Sequence, residues 1–358
     1  MASTLLMMPE LFHYWLCGIP TWEWTEATTT QCYDPLAADW AWSILNRLGL
    51  PAHLFGDIAP SGTVLGPLRA EVAETTALAG TSVIAAASHD TASAIAGVPF
   101  QEAGAAYVSC GTWSIVGVEV PQPVINDRSF AARLTNEGGP DHSFQLMSNL
   151  TGLWLLQECQ RKWLSSGHRW ELPELLAMAE KAPPLRSLVD PNHPAFAAPG
   201  DAPASLGSVC RSTGQPVPRG PGEVVRCVLE SLVLAHRQAI ELLVATSGKS
   251  PPGIHIVGGG SLNKLLCQWT ADATGLPVWA GPSEASEIGN LVVQAVALGE
   301  LASMAEARSM VRDSFPPVLY EPGERQPWDA AYARFTLLSG APAKSPSDPT
   351  RSGVPRPS

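Results

Sequence analysis

Twice in this chain a short apolar run ends in a small, polar or glycine-rich crest and passes straight into a helix-prone stretch. Thr81 to Ala87 leads through Ser88-His89-Asp90-Thr91 into Ala92 to Ala96, and Gly253 to Val257 leads through Gly258-Gly259-Gly260 into Leu262 to Thr274. A strand handing over to a helix at a tight crest is a unit of α/β folds, and ligands in open α/β sheets collect at that carboxyl end of the strands. An α/β chain is expected, with its chemistry at these crests.

The 358 residues suffice for about two domains. Residues 1–60 are aromatic and turn-rich. Helices are expected over Leu5 to Leu16 and Leu36 to Leu48, the second stopped by Gly49 and Pro51, with an irregular stretch at Trp22 to Thr30. The segment shows no opening βαβ unit and reads as the end of a domain. Two hairpins are expected next: Ala105 to Val108 with Trp113 to Val120, and Phe130 to Leu134 with Phe144 to Met147. A helix follows from about Leu150 to Trp163, then a loop-rich region over 165–220. Glu223 to Val244 has the period of a long amphipathic helix. Pro277 to Ala280 reads as a strand and Ile288 to Ala302 as a helix; Gly340 onward, with Pro342, Pro346, Pro349, Pro355 and Pro357, reads as a disordered tail.

Composition narrows the function. Lys and Arg number 22 against 33 Asp and Glu, a net charge of -11, which argues against nucleic acid as a partner. A small anion remains compatible, because local backbone donors bind one on an acidic protein. No apolar stretch reaches the ~18 residues of a membrane span. The start lacks a basic region before Pro9, so no signal peptide is expected, and Asn149-Leu150-Thr151 reads as a chance glycosylation sequon. Seven scattered cysteines without a CxxC pair fit a reduced, cytoplasmic setting.

Four places can carry chemistry. Asp90, at a strand tip between His89 and Thr91, is placed for a general base; as a plain structural residue it would cap the next helix. The His-Asp pair also suggests a metal phosphohydrolase, but no further ligand set accompanies it. Ser109-Cys110-Gly111-Thr112 forms a tight turn whose successive N–H groups and hydroxyl suit a phosphate, or is an ordinary hairpin turn. Gly258-Gly259-Gly260-Ser261 either lets backbone approach an anion or nucleotide or is a plain strand-to-helix turn; it is neither GxGxxG nor a P-loop. Asn149, expected as a helix cap, lies two turns before Gln157. Cys110 and Cys159 read as packing residues, since no catalytic His is assignable to them.

Seven runs, in order, carry a resemblance: Leu6-Met7-Met8-Pro9-Glu10-Leu11-Phe12-His13-Tyr14-Trp15-Leu16, Thr28-Thr29-Thr30-Gln31, Ser88-His89-Asp90-Thr91-Ala92-Ser93-Ala94, Ser109-Cys110-Gly111-Thr112-Trp113-Ser114, Thr135-Asn136-Glu137-Gly138-Gly139, Gly152-Leu153-Trp154-Leu155-Leu156-Gln157, and Gly258-Gly259-Gly260-Ser261 with Ala271-Asp272-Ala273. Over roughly Leu5 to Tyr320 the chain resembles the carbohydrate kinases of the FGGY family and, within it, the rhamnulokinases. The resemblance implies an α/β, actin-like ATPase (ribonuclease H-like) two-domain sugar kinase fold with the active site in the interdomain cleft. Residues 1–98 would be a remnant of the N-terminal domain, 99–338 the C-terminal nucleotide-binding domain, and 339–358 the disordered Pro-rich tail.

The resemblance further implies phosphoryl transfer from ATP, with Mg²⁺, to the 1-hydroxyl of L-rhamnulose, giving L-rhamnulose 1-phosphate in L-rhamnose catabolism. Asp90 matches the catalytic base, and His89, Asp90 and Thr91 match sugar contacts. Thr112 matches the phosphate-side contact, and Asn149, Gln157 and Gly259 match nucleotide contacts. No metal ligand from the chain is assigned. The implied partners are a small ketose and ATP, with no nucleic acid and no membrane.

The match begins late. The family's first βββαβ unit, carrying the first phosphate hairpin, an Asp near the metal and part of the sugar pocket, has no counterpart, so the N-terminal domain is expected to be incomplete. Losing one preorganised donor typically costs about 10²–10³ in rate. The chain alone is therefore expected to be weakly active or inactive, with apolar surface exposed over residues 1–98. The alternatives are a non-catalytic remnant or binding module that keeps a nucleotide-domain fold, or another FGGY ketose kinase of the fuculose or xylulose type.

Overall fold

The strand Ile254–Val257 is buried along its whole length, as a near-continuous apolar run should be when both faces of a sheet are covered. In the computed structural model, which describes residues 2–340, it lies third in a seven-stranded mixed sheet. The spatial order is Val318–Tyr320, Val278–Ala280, Ile254–Val257, Ala106–Cys110, Trp113–Val120, Phe144–Thr151 and Thr135–Gly138. Ile254–Val257 pairs in parallel with Val278–Ala280 and with Ala106–Cys110, and the remaining pairs are antiparallel. The parallel strands bring the two turns Gly111-Thr112 and Gly258-Gly259-Gly260 to the same end of the sheet.

One face is covered by the 28-residue helix Gly220–Ser247, whose Leu232, Ala235, Ala239 and Leu243 are buried among the strand residues. Gly248, at φ 72°, closes it in the left-handed conformation that glycine adopts without strain. Tyr107 and Val257 face the other side and pack with Ile95, Val98 and Ala285. Two helices meet there almost without side chains. A Cβ at Gly289 in helix Ala285–Ala297 would fall 1.7 Å from the Ser93 carbonyl oxygen, and one at Gly97 would fall 2.3 Å from that of Ala285. Helix Asp90–Ala96 is thereby bound to the C-terminal body at backbone contact.

The N-terminal part is built differently. It holds three separate two-stranded pairings, Trp22–Glu23 with Ile58–Ala59, Tyr33–Asp34 with Asp39–Trp40, and Thr63–Pro67 with Ser82–Ala85. Its own small core is Ala27, Trp40, Leu45 and Phe55. Met8, Phe12 and Trp15, on helix Met8–Cys17, stand more than half exposed.

Several expected elements differ. The helix expected over Leu36 to Leu48 is only Trp42–Arg47, because Ala38 turns left-handed at φ 54° and Asp39–Trp40 pairs as a strand. Phe130 to Leu134 is not a strand. Asn126 and Ser129 form a reciprocal cap that starts helix Asp127–Ala131, and the pairing strand is Thr135–Gly138. The helix expected from Leu150 starts at Trp154, because the preceding strand runs on to Thr151. The loop region over 165–220 contains helices Leu172–Lys181 and Ala202–Ser212, each with proline in its first turn. Leu262 precedes helix Lys264–Thr274 and is exposed. Helices Met304–Ser314 and Gln326–Leu338 and strand Val318–Tyr320 had no sequence expectation. The tail expected over 339–358 lies, from residue 341 on, outside the described residues.

The helix contact yields a test. Gly289→Ala overpacks it and is expected to lower unfolding free energy by about 3 kcal/mol in urea denaturation. Gly200→Ala, where a Cβ meets nothing within 4 Å, should leave the midpoint in place. Equal midpoints would mean that the two helices are not in backbone contact.

Candidate active site

The crest Ser88-His89-Asp90-Thr91 joins strand Ser82–Ala85 to helix Asp90–Ala96. Asp90 is the first helical residue, and the cap position belongs to His89, which makes no side-chain cap. The carboxylate of Asp90 is therefore not held by the helix end: its side chain is 86% exposed and accepts a bond only from the Thr91 hydroxyl, at 3.3 Å. The capping alternative is removed, and a largely exposed carboxylate, with His89 Nε2 3.6 Å away, remains beside the open space.

That space is a cleft of about 600 Å³ lined by His89, Asp90 and Thr91 on one side and by Gly111, Thr112, Trp113 and Asn149 of the sheet on the other. Asn149 is no helix cap. It sits within strand Phe144–Thr151, opposite Ile115, and is exposed to the cleft. Five of the seven expected site residues thus share one cavity. Gln157 joins from behind, accepting the Thr112 hydroxyl at 3.2 Å from helix Trp154–Ser165.

Gly259 stands on the neighbouring strand end, where a Cβ would meet nothing within 4 Å. Its two neighbours have a packing reason to be glycine. Gly258, at φ 78°, and Gly260 both press on Cys110, the latter leaving a Cβ only 2.6 Å from that of Cys110. The hairpin turn also offers less than expected. The Gly111 amide donates to the Trp113 carbonyl at 2.7 Å, so the turn does not present a row of free N–H groups, and the Thr112 hydroxyl is its principal side-chain group.

Sequence reasoning missed the support under the crest. Glu23 and Thr25 lie buried directly beneath it, with the Glu23 carboxylate accepting the Ser88 amide at 3.1 Å. Glu137, on strand Thr135–Gly138, comes within 3.3 Å of His89 Nδ1. With Asp90 at 3.6 Å, two carboxylates therefore meet one imidazole. Burial pushes the Glu26 carboxyl above its usual range; His89 pulls it back, while Glu23, Asp90 and Glu137 add to the rise. The signal was there in Trp22-Glu23-Trp24-Thr25-Glu26: two acids in an aromatic run with no basic residue close by. Cys110 and Cys159 are buried thiols that burial pushes up to about 12, which fits packing and not nucleophilic attack. Among the described residues no group of three or more His, Cys, Asp or Glu is placed to hold a metal ion.

A mixed sheet capped by helices, with a cleft between its strand ends and a second, smaller body, is the two-domain kinase architecture of the actin-like type. Solved structures agree: the ligand-bound xylulose kinase of Lactobacillus acidophilus superposes with a TM-score of 0.76 at 17% identity, over 96% of this chain and 69% of its own. The glycerol kinase of Plasmodium falciparum with ADP gives 0.73 at 13%, over 94% and 67%.

Sequence comparison is more specific. The pattern of the FGGY family of carbohydrate kinases, C-terminal domain, matches residues 106–298, and that of its N-terminal domain matches residues 1–97. The chain belongs to the FGGY family of carbohydrate kinases. It is 41% identical to the rhamnulokinase of Bacteroides thetaiotaomicron over 93% of its length and 38% identical to that of Enterococcus faecalis over 89%. It spans 68% and 65% of those two proteins.

Glu10 makes stability depend on pH. Fully buried, its carboxyl is pushed by desolvation from 4.5 to about 7, against the pull of the Met7 and Glu23 amides that it accepts. Below pH 4.5 both folded and unfolded chains hold this proton and its contribution is fully present. Between 4.5 and about 7 only the folded chain holds it, so stability is lost as pH rises. The fall in urea midpoint from pH 5 to 8 should be shallower in Glu10→Gln; an unchanged slope would place the proton elsewhere.

Proposed function

We propose that this chain forms the acceptor-activating and nucleotide-facing part of an ATP-dependent ketose kinase that phosphorylates L-rhamnulose at its 1-hydroxyl. The sugar is suggested by the rhamnulokinases that the chain resembles at 36–41% identity. The chemistry is suggested by one observation: an exposed carboxylate, not held by the helix end, facing a cleft whose opposite wall carries the Thr112 hydroxyl.

Phosphoryl transfer passes through a loose transition state, so positioning and charge placement supply most of the catalysis. Asp90 takes the proton from the attacking 1-hydroxyl as the new O–P bond forms, and ADP leaves with the electron pair of the broken bond. His89 and Thr91 flank that hydroxyl. Thr112 faces the transferred phosphoryl group, and its bond to Gln157 fixes its rotamer. Asn149 lines the same cleft, within reach of either substrate, while Gly259 offers open backbone next to the hairpin. Among the described residues no cluster would hold a metal by itself. Mg²⁺ enters as part of the MgATP substrate.

The decisive measurement is ketose-dependent ADP release across a panel of L-rhamnulose, L-fuculose and D-xylulose, for the parent chain and Asp90→Asn. Weak turnover is expected, with L-rhamnulose foremost. Asp90→Asn should lower it by about 10²–10⁴-fold, the usual worth of a general base, with ATP affinity within about threefold. An equal loss of nucleotide affinity would assign Asp90 to holding the nucleotide instead.

A further inference from the structure

Glu23 is fully buried, yet no Lys, Arg or His bonds to it among the described residues. Five donors surround its carboxylate. Oε1 accepts the Thr25 amide at 3.0 Å and the Ser61 hydroxyl. Oε2 accepts the Thr25 hydroxyl at 2.5 Å, the Glu26 amide at 3.2 Å and the Ser88 amide at 3.1 Å. A buried carboxylate is tolerated only when its oxygens are satisfied, and this one is satisfied entirely by neutral groups.

Two of the donors explain themselves as an N-cap of the short helix Trp24–Ala27. The others do not. They draw in the turn at Ser61 and, across 65 residues of sequence, the crest at Ser88. The Thr25 hydroxyl, held by Glu23, in turn accepts the His89 amide at 3.1 Å. Glu23 thus grips two successive amides, one directly and one through a single hydroxyl, and the next residue along the chain is Asp90.

We propose that Glu23 is a positioning residue for Asp90, with Thr25 as its relay. The inference rests on the reading of Asp90 as the base. The crest enters helix Asp90–Ala96 with its direction set at two consecutive N–H groups, which fixes where the first helical side chain projects. The far end of that helix is set by backbone contact at Gly97 and Gly289. With both ends held, the exposed carboxylate of Asp90 is aimed by elements it does not touch. An error of about 1 Å in such a group can cost about 10²-fold in rate.

The test uses the full chain and two variants. Glu23→Gln replaces one accepting oxygen by an NH₂ that faces N–H and O–H donors. It should lower kcat for the ketose about 10²-fold, leave both KM values within about threefold, and speed amide exchange at Ser88 and His89 at least tenfold relative to Val108 and Ile256. Thr25→Val keeps the side-chain shape and removes only the relay. It should lower kcat about tenfold, with faster exchange at His89 and little change at Ser88. If Glu23→Gln loses protection throughout the molecule, Thr25→Val decides by that residue-specific pattern.

Unchanged kcat, a loss carried by KM, or a kcat loss with the Ser88 and His89 amides still protected would each overturn the proposal. Asp90→Asn serves as the control. If it retains turnover, the base reading fails while accelerated exchange at Ser88 and His89 would still show the clamp. If the parent shows no ketose-dependent turnover, the kinase reading fails and exchange alone decides the Glu23–crest clamp.

Discussion

The backbone contact between helices Asp90–Ala96 and Ala285–Ala297 is the joint on which the site depends. It admits no side chain at Gly289 or Gly97, and small residues, Ala92, Ser93 and Ala96, occupy the adjoining turns. Close-packed interiors transmit displacement, so Asp90, at the first turn of one of these helices, inherits its position from the other. Through Ile95, Val98 and Ala285 that second helix is anchored on Tyr107 and Val257 of the central strands. The hairpin that carries Thr112 grows from the same strands. Asp90 and Thr112 therefore belong to one rigid frame, although 22 residues and a change of chain direction separate them.

The N-terminal body contributes rigidity of another kind. Its two-stranded pairings are of a size that is marginal in water, and its apolar core is small. What ties it to the crest is polar: Glu10 to the Glu23 amide, Glu23 to Ser61 and Ser88, Thr25 to His89, and Thr28 to the Gly138 amide at 2.8 Å. Buried polar networks of this sort are directional, and they lose most when one member is removed, because the rest are left unsatisfied. Apolar packing thus holds the frame and hydrogen bonds aim the crest.

The sequence disclosed the parts whose signals are local. The strand–crest–helix at 81–96, the hairpin at Gly111-Thr112 and the long helix at 220–247 all follow from periodicity and turn residues. Helices Leu172–Lys181 and Ala202–Ser212 were hidden because proline in their first turns resembles loop composition. Asn149 was misplaced because asparagine before a helical pattern reads as a cap, whereas cross-strand pairing with Ile115 carries the strand two residues beyond it. The role of Glu23 was invisible for a different reason. Its partners lie 38 and 65 residues away, and no periodicity encodes a contact made by one carboxylate with two distant loops.

Electrostatics set the last condition on the cleft. Its lining contains no Lys or Arg among the described residues, and Asp90, Glu26 and Glu137 cluster around His89. On the proposed reading, a neutral donor such as the Asn149 amide can orient a triphosphate but does not offset its charge. Two charges about 4 Å apart interact by about 4 kcal/mol near a protein surface, enough to hold a bare nucleotide away from Asp90. On the proposed kinase reading, the donor must arrive with much of its charge already balanced by a bound cation.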